Sequence, residues 1–479
     1  MPSLSARSAA ALLTDWRGGG TRPAYQALAE RIRLLVLDGR ILPGTRLPAE
    51  RELAAQLGLS RTTVASAYAA LREHGYLVSV RGSGSVARLP RGDAAPVETA
   101  PTGLIDFSKA ALPALPWLPD AARWAAEQLP RHLGDPGFDG VGDPELREAI
   151  AERYRRRGVP TAPEQVIVTL GAQHAISLVA RTLLGRGDRA LVESPSYPHA
   201  YEALRAAGAR LVPVGVTPTE GWDEQGLEQA IRGASPTLGY LMPDLHNPTG
   251  ASMPEAQRER LVAMAARQGT LLVVDETIGE LDIDRTHPLA PLAGVAPPPG
   301  LASPVISIGS VGKTVWGGVR IGWIRADRGV LQRIVRARVA TDLGTPLLEQ
   351  LLVTRLLRDW DPVLELRREQ LRSGRDALEG MLADRLPEWT APHVHGGLTM
   401  WVNLGEAVSS QLTIAARASG LVITAGPRFG LDGAFERFLR LPFGYGIEQL
   451  EQGVSALERT WRGLGRHPLP ESGYLADVV

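Results

Sequence analysis

A lysine in the middle of the chain stands where a primary amine could do chemistry. Lys313 lies in the segment SIGSVGKTVWGGVRIGW, just after an apolar run at Val305–Ile308 that predicts a buried strand. An amine at the end of a strand can form a Schiff base with an aldehyde cofactor. Arg320 could hold a phosphate through two parallel hydrogen bonds, and the Ser310 hydroxyl could bind the same anion.

Four other short motifs carry groups that would suit the same ligand. Asp275 ends an apolar run, where its carboxylate could keep a pyridinium nitrogen protonated. Asn247, in HNPTG, could donate an amide hydrogen to a phenolic oxygen, and Tyr197, in ESPSYP, could stack on a pyridine ring. Gly171-Ala172-Gln173 opens an apolar helix, whose N-terminus could cradle a phosphate. A helix cap would explain Asp275 alone, an Asn-Pro turn would explain Asn247 alone, and a lone lysine is ordinarily a surface residue.

The elements that must position these residues alternate along the chain. Short apolar runs separated by amphipathic segments predict an α/β body with a mostly parallel sheet, in which ligands collect at the strand ends. The predicted strands are Val166–Thr169, Ala190–Glu193, Leu211–Val214, Leu238–Met242, Leu271–Asp275 and Val305–Ile308. A C-terminal lobe from about residue 346 starts helical and contains predicted strands at Leu398–Val402 and Phe438–Leu441.

The first part of the chain has a different pattern. A helix is predicted from Tyr25, a second between Pro48 and Gly58, and a third that Ser60 caps. Two short strands joined by a glycine turn follow. Helices joined by a tight turn and followed by a hairpin describe a winged helix-turn-helix. We therefore expect a flexible lead-in at 1–20, a winged-helix domain at 21–88, a linker at 89–104 and the α/β domain at 105–479.

The charge distribution agrees with a nucleic-acid partner for the N-terminal domain. Residues 1–90 carry 12 basic and 6 acidic residues, whereas the remainder carries 40 basic and 46 acidic residues. A small docking domain with solubilising arginines is the alternative. If the domain reads double-stranded DNA, phosphate and base contacts are expected from the third helix, from the second helix and from the wing. The candidate residues are Arg51, Ser60, Arg61, Thr62, Thr63, Arg81 and Gly82.

Composition excludes several other kinds of chemistry. The chain of 479 residues contains no cysteine, so disulfides, cysteine zinc sites, iron–sulfur clusters and thiol nucleophiles are ruled out. No apolar run reaches the roughly 18 residues that a membrane span needs, and we expect a cytoplasmic protein. His393 and His395 lack a nearby third ligand in the sequence and suit alternate positions of a strand, so no metal site is predicted.

Two stretches resemble known families. The stretch from Tyr25 to Val86 contains RLPAERELAAQLGLSRTTV and a glycine wing, and it resembles the winged-helix domain of the GntR superfamily of bacterial regulators. The resemblance implies that the residues proposed above contact DNA. The chain from about Asp106 to Arg462, with GDPELREAIAERY and FLRLPFG, resembles fold type I pyridoxal-phosphate enzymes of the aspartate aminotransferase superfamily.

The second resemblance assigns roles to individual residues. It implies that pyridoxal 5'-phosphate is held by Lys313, Asp275, Asn247, Tyr197, Ser310 and Arg320, and that Arg440 binds a substrate or effector carboxylate. The chain departs from the family at the tyrosine that usually follows the aspartate, where Thr277 and Ile278 stand. It also has Gly312 before the lysine in place of serine, and Gly317-Gly318 in place of Pro-Gly. Cofactor binding is compatible with these departures, and we expect them to weaken transamination.

The two halves together resemble the MocR subfamily of GntR-type transcription regulators. The resemblance implies a homodimer with head-to-tail packing, in which an amino compound or the cofactor itself is sensed through an aldimine at Lys313 and changes DNA affinity. An active aminotransferase with an accessory DNA-binding head is the alternative. A cofactor-free ligand-binding domain is a third reading, in which replacement of Lys313 would not change the visible absorbance.

Overall fold

The computed structural model describes residues 3–13, 16, 23–37, 41, 45–80, 84–88, 104–134, 136–284, 290–431 and 434–464. Among the described helices, none is both long and apolar enough to cross a bilayer.

Helices and strands alternate through most of the described chain. The helices are α1 (Ala6–Leu12), α2 (Ala24–Leu37), α3 (Glu50–Leu57), α4 (Arg61–Glu73), α5 (Leu118–Gln128), α6 (Pro144–Arg156), α7 (Ala172–Leu183), α8 (Pro198–Ala206), α9 (Glu224–Ala234), α10 (Glu255–Gln268), α11 (Arg328–Arg338), α12 (Leu347–Leu357), α13 (Asp361–Arg385), α14 (Ser409–Ala418) and α15 (Ile447–Gly463). The strands are β1 (Leu77–Val80), β2 (Gly84–Ala87), β3 (Ile105–Asp106), β4 (Val166–Thr169), β5 (Arg189–Ser194), β6 (Arg210–Thr217), β7 (Gly221–Trp222), β8 (Leu238–Leu241), β9 (Leu271–Asp275), β10 (Val305–Ser310), β11 (Gly322–Arg325), β12 (Thr399–Asn403), β13 (Leu421–Val422), β14 (Thr424–Ala425) and β15 (Phe438–Pro442).

An eight-stranded mixed sheet forms the centre of the α/β body. Its strand order is β4-β11-β10-β9-β8-β5-β6-β7. The five strands from β10 to β6 are parallel to one another, while β11 runs antiparallel to both β10 and β4. Strands β4, β8 and most of β9 and β10 are buried, as expected for strands covered on both faces. The predicted α/β fold with a mostly parallel sheet is confirmed.

The N-terminal helices have the capping residues that their sequence predicts. Gly58 ends α3 in the left-handed conformation, with φ of 63°, which a residue with a Cβ adopts less readily. The Ser60 hydroxyl accepts a hydrogen bond from the Thr63 amide and caps α4. Tyr68 is buried on α4 and donates to the Pro48 carbonyl at 3.0 Å, which fixes α4 against the start of α3. Strands β1 and β2 pair antiparallel as the wing.

The chain divides into two compact units. One contains the described residues of 1–108, 403–439 and 452–477, and the other contains most of 109–402 and 440–451. The core of the first unit joins the winged helix to Ile414 of α14. That core also includes Ala9 and Leu13, so the prediction of a flexible lead-in at 1–20 is corrected for residues 6–13, while part of that stretch lies outside the described residues. Residues Ala6–Leu12 form a helix because Ser5 caps it and because Ala9, with Leu13 just after the helix, is buried in this core. Of the predicted linker 89–104, only Leu104 lies within the described residues.

Candidate cofactor site and DNA-binding face

Lys313 lies in a cavity at the carboxyl ends of the parallel strands, three residues after β10. Its Nζ donates a hydrogen bond to the Ala110 carbonyl at 2.7 Å. Burial, and next the positive charge of Arg440, lower the pKa of the Lys313 ammonium to about 8, while the charge of Asp275 opposes the change. An amine with this pKa is neutral in a substantial fraction near neutral pH, which is the state that attacks a carbonyl carbon.

Asp275 is next to Lys313 because of the strand order. Strand β9, which Asp275 ends, pairs in parallel with β10, and the Cα partner of Asp275 is Ile308. The carboxylate accepts a hydrogen bond from the Tyr240 hydroxyl at 2.7 Å and another from the Thr277 amide at 2.9 Å. Two donors hold the carboxylate in one orientation. Burial raises the pKa of the Tyr240 hydroxyl far above its ordinary value, and the charge of Asp275 adds to the effect.

The cavity has the composition of a site for a planar aromatic ligand. Five predicted site residues line it together with Lys313, namely Ala172, Gln173, Tyr197, Asn247 and Asp275. The remaining walls are mostly apolar and come from Ala110, Met242, Thr277, Ile278, Leu398 and Thr399. Apolar walls with a few convergent polar groups are typical of cofactor sites.

Several buried polar atoms at this cavity fit a polar ligand. Among the described residues, no hydrogen-bond partner is found for Asn247 Oδ1, Gln173 Oε1 or Thr277 Oγ1. Since buried polar atoms are normally paired, a bound molecule with polar groups would satisfy them. Burial raises the pKa of the Tyr197 hydroxyl well above its usual range, with Asp275 the next cause, so this ring faces the cavity as a neutral phenol.

The residues predicted to hold a phosphate meet at the start of α7. Gly171 precedes α7 with φ of 85°, and a Cβ there would lie 2.9 Å from the Arg320 guanidinium. Arg320 itself has φ of 55°, an uncommon conformation for an arginine, and donates to the Leu170 carbonyl at 2.9 Å. The Ser310 hydroxyl donates to the Ile321 carbonyl and accepts from the Gly312 amide, each at 3.0 Å. The start of a helix, a guanidinium and a hydroxyl are groups that suit an anion.

Arg440 is fully buried in β15 and does not line the cavity itself. Its positive charge nevertheless lowers the pKa of both Lys313 and Tyr197, which places the guanidinium within electrostatic reach of the cavity. The structure therefore brings the predicted cofactor-site residues and Arg440 into one region at the strand ends.

Sequence reasoning missed a buried network behind Asn247. Glu193 at the end of β5 is fully buried and accepts hydrogen bonds from the Trp222 indole at 2.7 Å and from the Met242 amide at 2.9 Å. His246 Nε2 lies 3.2 Å from Glu193, and His246 Nδ1 is 2.8 Å from the Thr249 hydroxyl. The network fixes the turn that carries Asn247. The sequence indicates this network only through Glu193, an acidic residue in an otherwise apolar strand.

Arg367 is a second residue that the sequence did not reveal. This fully buried guanidinium of α13 donates to the carbonyls of Thr314 and Val315 at 2.7 and 2.8 Å, and to that of Pro113 at 2.7 Å. Burial lowers the pKa of Arg367 to about 10. Because the two residues after Lys313 are held in this way, Arg367 acts as a positioning residue for the lysine.

The candidate DNA-binding residues lie around the start of α4. Arg51, Ser60, Arg61 and Thr62 are exposed, and the Arg61 side chain is 74% exposed, with a long 4.0 Å contact to Glu50. The hydroxyls of Thr62 and Thr63 lie 2.7 and 2.8 Å from the Ser60 hydroxyl at the helix N-terminus. Arg81 and Gly82, the predicted wing contacts, lie outside the described residues.

Fold and site together define a class of protein, in which a winged helix-turn-helix is joined to a fold type I aminotransferase-like domain. Comparison with known families agrees with both parts. Residues 122–457 match the aminotransferase class I and II family, and residues 24–86 match the gntR family of bacterial regulatory proteins.

Individual relatives have the same architecture. The chain is 29% identical to the HTH-type transcriptional regulator TauR of Rhodobacter capsulatus over 93% of this chain and 98% of that protein. It is 33% identical to the probable rhizopine catabolism regulatory protein MocR of Rhizobium meliloti over 63% of this chain and 65% of that protein.

The α-aminoadipate aminotransferase LysN of Thermus thermophilus, in complex with N-(5'-phosphopyridoxyl)-L-leucine, is similar in structure. Its TM-score is 0.69 at 30% identity, over 76% of this chain and 93% of that one.

This chain belongs to the aminotransferase class I and II family and carries a GntR-type DNA-binding domain at its N-terminal end, the architecture of the MocR-type regulators. Members of the fold type I aminotransferase family use pyridoxal phosphate.

Proposed function

We propose that this regulator holds pyridoxal 5'-phosphate on Lys313 and changes its affinity for DNA when an amino compound, or the cofactor itself, occupies the cavity. The observation that carries the proposal is a buried amine of lowered pKa beside Asp275, Asn247 and Tyr197, in one chain with a DNA-binding domain. When bound, the cofactor supplies an aldehyde that amines add to and a ring that withdraws electrons.

Each side chain of the cavity has a separate part in holding the cofactor. Asp275, oriented by Tyr240, would pair with the pyridinium nitrogen, and Asn247 would contact the phenolic oxygen. Tyr197 would stack on the ring, while Ser310, Arg320 and the backbone at 171–173 would hold the phosphate. Arg440 would attract the carboxylate of an amino-acid-like effector. The ligand of the LysN structure joins a phosphopyridoxyl group to leucine, which supports an effector of this kind.

A short covalent segment links Arg440 to a residue that contacts the winged helix. Glu436 accepts a hydrogen bond from Arg31 of α2 at 3.2 Å, and from the Ser410 hydroxyl at 2.9 Å. Arg440 follows four residues later, in β15. A ligand that moves Arg440 would displace the same short segment that holds Arg31. This would couple effector binding to DNA affinity, as linkage requires.

Exposed apolar side chains favour a homodimer. Leu133 and Phe138 are each 71% exposed, and Val339 and Leu343 are also exposed. The loops that carry Phe138 and Leu343 pack together, since a Cβ at Gly344 would meet the backbone of Asp139. Exposed apolar clusters of this kind mark association surfaces, and we expect light scattering to give the mass of a dimer.

A titration of the full-length protein with a panel of amino acids tests the proposed function. The protein is first incubated with pyridoxal phosphate, and absorbance and DNA affinity are measured in parallel. At least one amine should change both the absorbance and the affinity. The variant Glu436→Gln should keep the change in absorbance and lose most of the change in affinity. If no amine alters DNA binding, the sensing proposal is wrong.

Transaminase activity is the second candidate function, because Lys313, Asp275, Asn247 and Arg440 are all present. In this chain Thr277 and Ile278 occupy the positions where the family usually has a tyrosine, and the hydroxyl of Tyr240 is bound to Asp275 instead. We therefore expect only slow formation of keto acid from the same panel of amino acids. Turnover at enzyme-like rates would favour the transaminase over the regulator.

Replacement of Arg61 tests the DNA-binding face. Arg61→Ala should weaken binding to a duplex selected by the wild-type protein from a random pool by about 1–3 kcal/mol, roughly 5- to 150-fold, if Arg61 reads a base edge. Fluorescence anisotropy at fixed salt measures the affinity. Arg232→Ala, which removes an exposed arginine from α9, is the matched control and should bind normally. Equal affinities of the two variants would contradict the assignment.

The pKa of Lys313 predicts a pH dependence for cofactor capture. Since the pKa is lowered to about 8, the neutral amine is the minor form below that pH and the major form above it. The rate of pyridoxal phosphate capture should therefore rise with pH, about tenfold per unit well below pH 8, and level off above it. Stopped-flow absorbance measures the rate. A profile that keeps rising towards pH 10 would show that the amine is not perturbed.

A further inference from the structure

The structure assigns a binding site for a divalent transition-metal ion of the zinc class to Asp284, His393 and His395, with Glu379 as the residue that orients His393. This site lies outside the cofactor cavity. The sequence predicted no metal site because a third ligand was missing near the two histidines. Folding supplies that ligand from a segment more than a hundred residues earlier in the chain.

The three ligand atoms converge at distances that suit one ion. His393 Nε2 and His395 Nδ1 each lie 3.3 Å from Asp284 Oδ2. One ligand atom from each residue can be chosen so that all lie within 4.8 Å of one another. Zinc binds nitrogen and oxygen at about 2.0–2.2 Å, which in tetrahedral geometry separates neighbouring ligand atoms by about 3.3–3.6 Å. Only small rotations of the exposed imidazoles are needed to receive an ion.

Glu379 gives His393 the arrangement of a metal ligand. Both carboxylate oxygens of Glu379 lie 3.0 Å from His393 Nδ1. When Nδ1–H donates to this carboxylate, the lone pair of the neutral ring is on Nε2, which faces Asp284. Metal-bound histidines commonly donate their second ring nitrogen to a carboxylate in this way. The contact is a second observation, independent of the grouping of the three ligands.

The backbone holds the two ligand segments in register. The amides of Ile283 and Asp284 donate to the His395 carbonyl at 2.9 and 3.3 Å, and the Gly397 amide donates to the Leu281 carbonyl at 2.8 Å. A β-bridge also joins Asp282 to Gly396. The ligands therefore lie on two paired segments, which lowers the entropy lost when an ion binds.

The local charge is compatible with a divalent cation. Arg375 donates to Asp284 and to the Val394 carbonyl, the latter at 2.9 Å, and so it also fixes the segment between the two histidines. Asp376 pairs with the same guanidinium at 2.8 Å. Arg368 and Arg372 of the same helix donate to the carbonyls of Asp282 and Ile283, so three guanidinium groups stand against the carboxylates of Asp284, Asp376 and Glu379. The imidazoles are the donors that distinguish zinc-class ions from magnesium and calcium.

An ion at this site would stabilise two chain segments that lead to residues lining the cofactor cavity. The Asp284 segment follows Thr277 and Ile278 in the chain, and the His395 segment leads into Leu398 and Thr399, four residues that all line the cavity. The metal proposal does not depend on cofactor binding, and it can be tested with the protein before any pyridoxal phosphate is added.

Zinc chloride is the probe, and competition with a chromophoric chelator measures its affinity for the full-length protein. The wild type should bind one ion per chain at the site. The double variant His393→Asn/His395→Asn should lose that ion, and Glu379→Gln should bind it about 10- to 100-fold more weakly. His74→Asn, which removes an exposed histidine from the N-terminal domain, is the matched control and should bind normally.

Cobalt absorbance gives a spectroscopic test of the same ligands. Cobalt added to the wild type should give the visible bands of a low-coordinate site with nitrogen ligands, and the double variant should not give them. Because all the replaced side chains are at least partly exposed, circular dichroism should be the same for all variants. Equal zinc affinity of the wild type and the double variant, or no zinc binding by the wild type at micromolar concentration, overturns the proposal.

Discussion

Lys313→Ala is expected to abolish covalent capture of pyridoxal phosphate, with complete loss of the visible absorbance that the wild type gains on incubation. The side chain of Lys313 is the primary amine that reaches the cavity, where its Nζ lies 2.7 Å from the Ala110 carbonyl among the polar groups expected to hold the cofactor. Alanine keeps the backbone but removes the nucleophile, so no imine can form at this position.

The chain provides an unusually clean control for this experiment, because Lys109 and Lys313 are its only two lysines. Lys109 is exposed, and its carbonyl, which accepts a hydrogen bond from the Tyr445 hydroxyl at 2.8 Å, is retained in Lys109→Ala. We expect Lys109→Ala to gain the same visible absorbance as the wild type when it is incubated with pyridoxal phosphate. Borohydride reduction followed by peptide mapping should place the label on the peptide of Lys313. Label at Lys109, or a coloured Lys313→Ala protein, would refute the assignment.

The strand ends of the cofactor site could be predicted because they depend on local patterns. Apolar runs ending in Asp275 and before Lys313 indicated two strands whose carboxyl ends carry polar groups, and the structure contains both as β9 and β10. The order of the strands could not be predicted. That β9 and β10 are neighbours in parallel register, which brings Asp275 near Lys313, results from packing of the whole sheet.

The antiparallel strand β11 shows a second limit. Gly322–Arg325 is four residues long and follows a glycine-rich turn, so its apolar pattern is too short to separate from a loop. Its pairing with β10 on one side and β4 on the other fixes it as a strand. The helix at Ala6–Leu12 was missed for a related reason. An alanine-rich segment has few large apolar residues, and Ala9 and Leu13 form part of a core only after the winged helix folds around them.

Buried charges were the least predictable part of the site, because their partners are distant in sequence. Arg367 is held by carbonyls more than fifty residues earlier in the chain. The metal ligands proposed above show the same problem, since Asp284 reaches the two histidines through a β-bridge that no local pattern reveals. The sequence can indicate that a polar residue in an apolar strand is buried and needs a hydrogen-bonding or charged partner, but only the folded structure identifies that partner.

Glu193→Ala is expected to cause the second large effect, a loss of about 3–5 kcal/mol in the free energy of unfolding. The variant leaves the Trp222 indole N–H and the Met242 amide buried without their acceptor, and each unpaired group costs about 1–3 kcal/mol. It also leaves a cavity at a fully buried position, which adds to the loss. Urea unfolding of the protein without cofactor measures the change.

The effect of Glu193 on the cofactor site can be separated from its effect on stability. The neutral variant Glu193→Gln retains an acceptor oxygen and much of the volume, so it should be less destabilised than Glu193→Ala. However, its amide hydrogens would face His246 and the Met242 amide, which disturbs the turn that carries Asn247. We expect Glu193→Gln to remain folded and to bind pyridoxal phosphate more weakly. Glu259→Ala, an exposed change on α10, should alter neither property. Normal cofactor affinity in a folded Glu193→Gln protein would show that the network serves stability alone.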